Sequence, residues 1–78
     1  SMTLEKSLSQ TNDPKLLALT NLDLTDKDIP LLIRHLETNP SCTTLDLSTN
    51  HVTATGVNLI AQTLRSIPTL RELNLRSN

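Results

Sequence analysis

The stretch that decides the fold is Leu70-Arg71-Glu72-Leu73-Asn74-Leu75-Arg76-Ser77-Asn78, which reads Leu-x-x-Leu-x-Leu-x-x-Asn. The phrase recurs as Cys42-Thr43-Thr44-Leu45-Asp46-Leu47-Ser48-Thr49-Asn50, with Cys in the first Leu position. A looser copy, Leu19-Thr20-Asn21-Leu22-Asp23-Leu24-Thr25-Asp26-Lys27, ends on Lys instead of Asn. A motif that returns along a chain indicates a fold built by stacking one structural unit.

The Leu-x-Leu centre of each copy predicts a short strand with one buried face, because side chains alternate between the two faces of a strand. We expect the Asn that closes the motif to turn inward and hydrogen-bond the loop backbone, because a bend leaves backbone groups without ladder partners. The predicted inward-facing structural residues are Leu22, Leu24, Leu45, Leu47, Asn50, Leu73, Leu75 and Asn78.

Between the motif copies, the apolar period changes from that of a strand to that of a helix. One helix is predicted between Thr53 and Arg65 and an earlier one over residues 28–37. The first position of the motif is Leu19, Cys42 and Leu70 in the three copies. The first two copies are 23 residues apart and the last two are 28 apart, which predicts that five residues are missing at the start of the first helix. Strand, helix and strand in this order predict right-handed crossovers and a parallel sheet.

Composition and charge restrict the class of function. The chain has no Phe, Tyr or Trp and a formal net charge of −1, which gives no basis for binding nucleic acid or a membrane surface. It has no apolar run long enough for a signal peptide or a membrane span. A single Cys cannot form an internal disulfide, so a reducing, cytoplasmic compartment is expected.

The phrase Asn50-x-Val52-x-x-x-Gly56-x-x-x-Ile60-Ala61-x-x-Leu64, followed by Pro68-x-Leu70, resembles the leucine-rich repeats of the ribonuclease-inhibitor class. The resemblance covers residues 19–78 and is weaker in the first unit, which lacks the Gly and has Lys27 where Asn is usual. It implies an α/β fold, a right-handed β/α solenoid or horseshoe segment with a short parallel sheet on its concave side and helices on its convex side. It also implies a non-catalytic role in protein–protein interaction.

The repeat pattern divides the chain into segments. Ser1-Met2 is typical of a cloning scar and a start residue, and residues 3–18 are expected to form a degenerate repeat or a capping helix and turn. Residues 19–41 and 42–69 are expected to be repeats 1 and 2, and 70–78 the start of a truncated repeat 3. A terminal repeat without a cap exposes its Leu layer and strand edge. We therefore expect a longer parent protein, or self-association that covers the C-terminal edge.

The outward-facing strand residues are the candidates for binding a partner: Asn21, Asp23, Thr44, Asp46, Ser48, Glu72, Asn74 and Arg76. Adjacent strands lie about 4.8 Å apart, so these residues would form a compact polar patch with an acidic bias, suited to a basic patch on another protein. The alternative is that they are only solvated strand residues. The chain would then be a structural spacer or scaffold in a larger protein, such as a regulator or a bacterial effector delivered into the host cytoplasm.

No residue pattern predicts catalysis, a cofactor or a metal. Asp23 and Asp46 could form a carboxylate pair, but acid–base or metal chemistry would need a partly dry, concave site with further ligands. Cys42 occupies a Leu position and is expected to be a buried apolar residue. His35 and His51 are expected on the surface, where two isolated His side chains make no metal site.

Overall fold

The computed structural model describes residues 3–78 and shows a small α/β domain with a three-stranded parallel sheet. The elements in chain order are α1 (Leu4–Ser9), β1 (Leu16–Ala18), α2 (Ile29–Thr38), β2 (Thr44–Asp46), α3 (Ala54–Thr63) and β3 (Glu72–Asn74). Short 3-10 turns at Asp26–Asp28 and Leu64–Ser66 precede α2 and follow α3. The sheet has the order β1-β2-β3, so the prediction of an α/β fold with a parallel sheet is confirmed.

The three strands pair in a constant register. Leu17 lies opposite Leu45, and Leu45 lies opposite Leu73. These partners are 28 residues apart in both pairs, as are Lys15 and Thr43, which are joined by a hydrogen bond just before the strands begin. The predicted spacing of 23 residues and the five-residue shortening of the first helix are therefore wrong.

The predicted position of the first strand is also wrong, because Leu22 and Leu24 lie in the bend after β1. Leu17-Ala18-Leu19 alternates as well as Leu22-Asp23-Leu24 does, so periodicity alone could not choose between the two. The backbone decides, since Asn21 and Asp23 both have φ of 55°, a left-handed conformation that Asn and Asp tolerate and a strand excludes.

The helices form close to where the sequence predicted them. Thr25 and Asp28 make a capping box before α2, in which Thr25 N donates to Asp28 Oδ2 at 2.8 Å. Pro30 lies in the first turn of α2, where its missing N–H costs nothing. Thr53 caps α3, and its Oγ1 accepts from Thr55 N at 3.3 Å.

The core is a layer of aliphatic side chains between the sheet and the helices. Leu17 and Leu45 from the strands meet Ile29, Leu32 and Ile60 from the helices, and none of these five is more than 4% exposed. Leu4 of α1 is also buried in this cluster, whereas Leu73 and Leu75 are half-buried against it. Residues that point away from the core on the three strands therefore form a separate, uncovered surface.

Candidate protein-binding surface

The uncovered face of the sheet brings side chains from three strands into two rows. The strand register places Leu16, Thr44 and Glu72 in one row and Ala18, Asp46 and Asn74 in the next. These six residues are called the strand face below. Backbone pairing continues past the strands, because Asn21 N donates to Ser48 O at 3.2 Å and Thr49 N donates to Arg76 O at 2.8 Å. Ser48 and Arg76 therefore border the strand face, so six of the eight predicted binding residues lie together.

Asn21 reaches the border of the strand face through this backbone hydrogen bond, but Asn21 and Asp23 follow β1, so their predicted placement on the first strand is wrong. They lie in the bend, where the Asp23 Oδ1 atom is 3.1 Å from His51 Nε2. The Asp23 and His51 side chains are 77% and 67% exposed, so this pair contributes little to stability. Leu16 and Ala18 take the first column instead, which replaces part of the expected acidic patch with apolar surface.

The side chains of Asp46 and Asn74 each stabilise the turn after their strand and are also partly exposed on the strand face. Asp46 Oδ1 accepts a hydrogen bond from Ser48 N at 3.0 Å, and Asn74 Oδ1 accepts from Arg76 N at 3.0 Å. These matching bonds fix the turn that follows each strand. The other side-chain oxygen of Asp46 is then left for a partner, as is the amide NH₂ of Asn74.

Glu72 and Arg76 provide free charge at the far side of the strand face. Both side chains are exposed, and neither makes an ion pair with another residue in the described range 3–78. Asp46 adds a second carboxylate, and the exposed cations Lys15 and Arg71 directly precede Leu16 and Glu72.

Asn50 confirms the prediction that the closing residue of the motif turns inward. Its side chain is 4% exposed, and its Oδ1 atom accepts from Leu22 N and Leu24 N, each at 3.0 Å. Its Nδ2 atom donates to the carbonyl oxygens of Leu19, Leu47 and Ser48, at 2.8, 2.9 and 3.2 Å. One side chain therefore satisfies backbone groups of its own bend and of the bend before it.

Asn78 repeats this arrangement one unit further along. Its Oδ1 atom accepts from Val52 N at 3.0 Å, and its Nδ2 atom donates to Leu47 O at 2.9 Å and Leu75 O at 3.0 Å. Asn78 is exposed, whereas Asn50 is only 4% exposed. The two Asn residues thus make matching contacts at different depths.

The sequence reasoning missed a second link between successive units, at Asp26. Its Oδ1 atom accepts from Thr53 N at 2.8 Å, and its Oδ2 atom accepts from Thr53 Oγ1. These hydrogen bonds hold the pKa of Asp26 below its ordinary value of 3.8. A Cβ at Gly56 would overlap Asp26 Oδ1 and lie 2.7 Å from Val52 Cγ1, so the carboxylate occupies space that only glycine leaves free.

Cys42 and His35 line one cleft together with Asp13 and Asn39. Cys42 is 3% exposed, as predicted for a residue in a Leu position, and burial raises the pKa of its thiol. His51 is exposed, as predicted, while His35 is half-buried. Within residues 3–78, no group of three or more His, Cys, Asp or Glu side chains is placed to hold a metal ion.

Comparison of the chain with protein-family models, with curated proteins and with solved structures finds no match. Over the same described residues, no helix has the length and apolar character that a membrane crossing requires.

Proposed function

We propose that this chain is a segment of a leucine-rich-repeat solenoid of the ribonuclease-inhibitor class, and that it is a non-catalytic module for protein–protein interaction. The 28-residue register and the matching contacts of Asn50 and Asn78 support the repeat. A solenoid of this kind has a right-handed path with its strands on the concave side. We place the chain in the cytoplasm, because its one Cys is a free thiol.

The observation that carries the binding function is the strand face. Helices pack on one side of the sheet. The other side presents Thr44, Asp46, Glu72 and Asn74, and no element within residues 3–78 covers it. The charges favour a protein partner with a basic patch, and neither a nucleic acid nor a membrane surface is expected at a net charge of −1. A standard interface needs about 800 Å² on each partner, so three short strands supply only part of one.

The test is a titration of the isotope-labelled protein with hexalysine, followed by NMR chemical shifts. We expect the amide signals of β2 and β3 to move in a salt-dependent way, and Asp46→Lys to abolish the movement. Glu37→Lys on α2 makes the same change of charge at another exposed residue and is the matched control. Shifts centred on the helices, or shifts unchanged by Asp46→Lys, would contradict binding at the strand face.

The scaffold alternative has one observation in its favour. Asp46 and Asn74 both hold the turn after their strand, which a purely structural role would also require. A spacer predicts that Asp46→Lys affects only the free energy of unfolding and leaves hexalysine-induced shifts at Glu72 unchanged. The same titration therefore separates the two functions.

Self-association through β3 is a further part of the proposal. β3 is an edge of the sheet, and Leu73 and Leu75 are only half-buried beside it. We expect the mass measured by light scattering to rise with protein concentration. A constant monomer mass over a hundredfold range of concentration would argue against pairing at this edge.

A further inference from the structure

A cleft of about 260 Å³ lies between α1 with its following loop and the first strand. It is lined by Ser7 and Gln10 on one side, by Asp13 in the loop, and by Leu16 and Ala18 of β1. Leu16 and Ala18 also belong to the strand face, so the cleft continues that surface beyond β1. Pockets for small molecules are usually about 300–1,000 Å³, so this cleft is suited to a single large side chain.

Leu16 and Ala18 make one wall of the cleft apolar, and Ser7 on the opposite side has a buried hydroxyl without a hydrogen-bond partner in residues 3–78. Leu16 is 40% exposed and contributes apolar surface to the cleft. The Ser7 Oγ atom has less than 1 Å² of exposed surface and makes no hydrogen bond within the described part of the chain. A buried hydroxyl without a partner is unfavourable, and a group that donates to it or accepts from it would remove this cost.

We propose that the cleft receives a Trp or Tyr side chain from the partner protein, with a Lys or Arg beside it that faces Asp46 and Glu72. This inference rests on the proposed binding function of the strand face. The aromatic ring covers Leu16 and Ala18, and its N–H or O–H pairs with Ser7 Oγ after a change of the Ser7 rotamer. Trp and Tyr combine a large apolar surface with one polar atom, as this cleft requires.

Charge complementarity is the reason for a Lys or Arg of the partner next to the aromatic side chain. Asp46 is the register neighbour of Ala18, and Glu72 lies two strands from Leu16, about 10 Å away at the usual strand spacing. Asp13 adds a third carboxylate at the wall of the cleft. A cation close to the aromatic side chain therefore meets negative charge on two sides. Aromatic residues and Arg are also the side chains that most often dominate the affinity of protein interfaces.

A second copy of this chain cannot be the occupant. These 78 residues contain no Phe, Tyr or Trp, so the aromatic side chain comes from outside them. The same composition makes the experiment clean, because any Trp fluorescence in a mixture comes from the added peptide alone.

The test uses two peptides, acetyl-Gly-Trp-Gly-Lys-Gly-amide and its Lys→Glu counterpart. Titration of the full chain into the Lys peptide should give a saturable blue shift of Trp emission, with about tenfold weaker binding for the Glu peptide. Leu16→Ser and Ser7→Ala should each weaken binding of the Lys peptide by several-fold. Leu31→Ser, at a Leu of α2 that is 36% exposed, is the matched control and should leave it unchanged.

The outcomes separate this inference from the function on which it rests. No saturable shift, or a shift that Leu16→Ser and Leu31→Ser affect equally, overturns the aromatic site. If NMR shows that the Lys peptide contacts Asp46 and Glu72 while Leu16→Ser has no effect, the aromatic site fails and the binding face stands. If only Ser7, Leu16 and Ala18 respond, the cleft stands and the proposed role of β2 and β3 fails.

Discussion

Replacing Asn50 by Ala should remove about half of the free energy of unfolding of this domain. The substitution leaves Leu22 N and Leu24 N without the oxygen that accepts from both, in a region where Asn50 itself is 4% exposed. Each buried group that loses its partner costs about 1–3 kcal/mol, so the two amides together cost about 2–6 kcal/mol. The carbonyls that also lose a donor add less, because Leu47 O keeps the hydrogen bond from Asn78 and Ser48 O keeps the one from Asn21 N.

This cost is large compared with the free energy of unfolding of a chain of 78 residues. A typical value of about 0.05–0.15 kcal/mol per residue gives a free energy of unfolding of about 4–12 kcal/mol. The assay is urea unfolding followed by far-ultraviolet circular dichroism, because the chain has no Trp to report by fluorescence. We expect the urea midpoint of Asn50→Ala to fall to about half that of the parent chain.

Asn78→Ala provides the matched control. It removes the corresponding bond to Val52 N, but water can replace the amide of this exposed side chain. We expect it to cost only about 0.5–1.5 kcal/mol, the usual net value of one hydrogen bond. Equal losses for Asn50→Ala and Asn78→Ala, or a loss below about 1 kcal/mol at Asn50, would refute the reasoning that burial makes this network decisive.

Three further substitutions test single contacts. The pKa of Asp26 is lower in the folded chain than its ordinary value of 3.8. Its contribution to stability is therefore complete above pH 3.8 and is lost as the pH falls through the folded-state pKa. Asp26→Asn should flatten this part of the curve of unfolding free energy against pH, measured by urea unfolding. Gly56→Ala should lower the melting temperature although Ala favours helices by about 1 kcal/mol, and Asp26→Ala in the same chain should recover part of the loss, whereas additive losses would contradict a clash. Cys42, whose thiol pKa is raised by burial, should react with a thiol reagent at neutral pH far more slowly in buffer than in urea, and equal rates would show that the thiol is accessible.

The sequence predicted the class of fold because the two complete copies of the motif carry every signal at once. Leu45 and Leu73 alternate with polar residues, and Asn50 and Asn78 close both copies. The first copy fails because two overlapping Leu-x-Leu phrases, centred on Ala18 and Asp23, fit the same strand period. The choice between them depends on backbone conformation and on the partner of each amide, which only the folded chain reveals. The equal 28-residue spacing was the available signal, and it places Leu17 with Leu45.

The binding surface was harder to predict than the fold for a related reason. A shift of register changes which residues point outward on a strand, so the error in the first strand replaced Leu16 and Ala18 by Asn21 and Asp23. An acidic patch thereby became a surface with an apolar side. The cleft beside Ser7 could not be foreseen at all, because it depends on where the loop after α1 passes the edge of β1.

In the 28-residue register, Leu22 of the first unit is equivalent to Asn50 of the second. The hydrogen bonds that Asn50 makes to the bend of the preceding unit explain why the first unit has Leu at this position. Asn50 Oδ1 bonds the amides of the preceding bend, as Asn78 Oδ1 bonds Val52 N. No bend of the described chain precedes that of Leu22, so an Asn there would have no amide for its oxygen and would lose the apolar contact that Leu22 makes with the core. Leu22→Asn should therefore destabilise the domain by about 1–3 kcal/mol in urea unfolding, and a variant of equal or greater stability would show that the Asn acts mainly within its own bend.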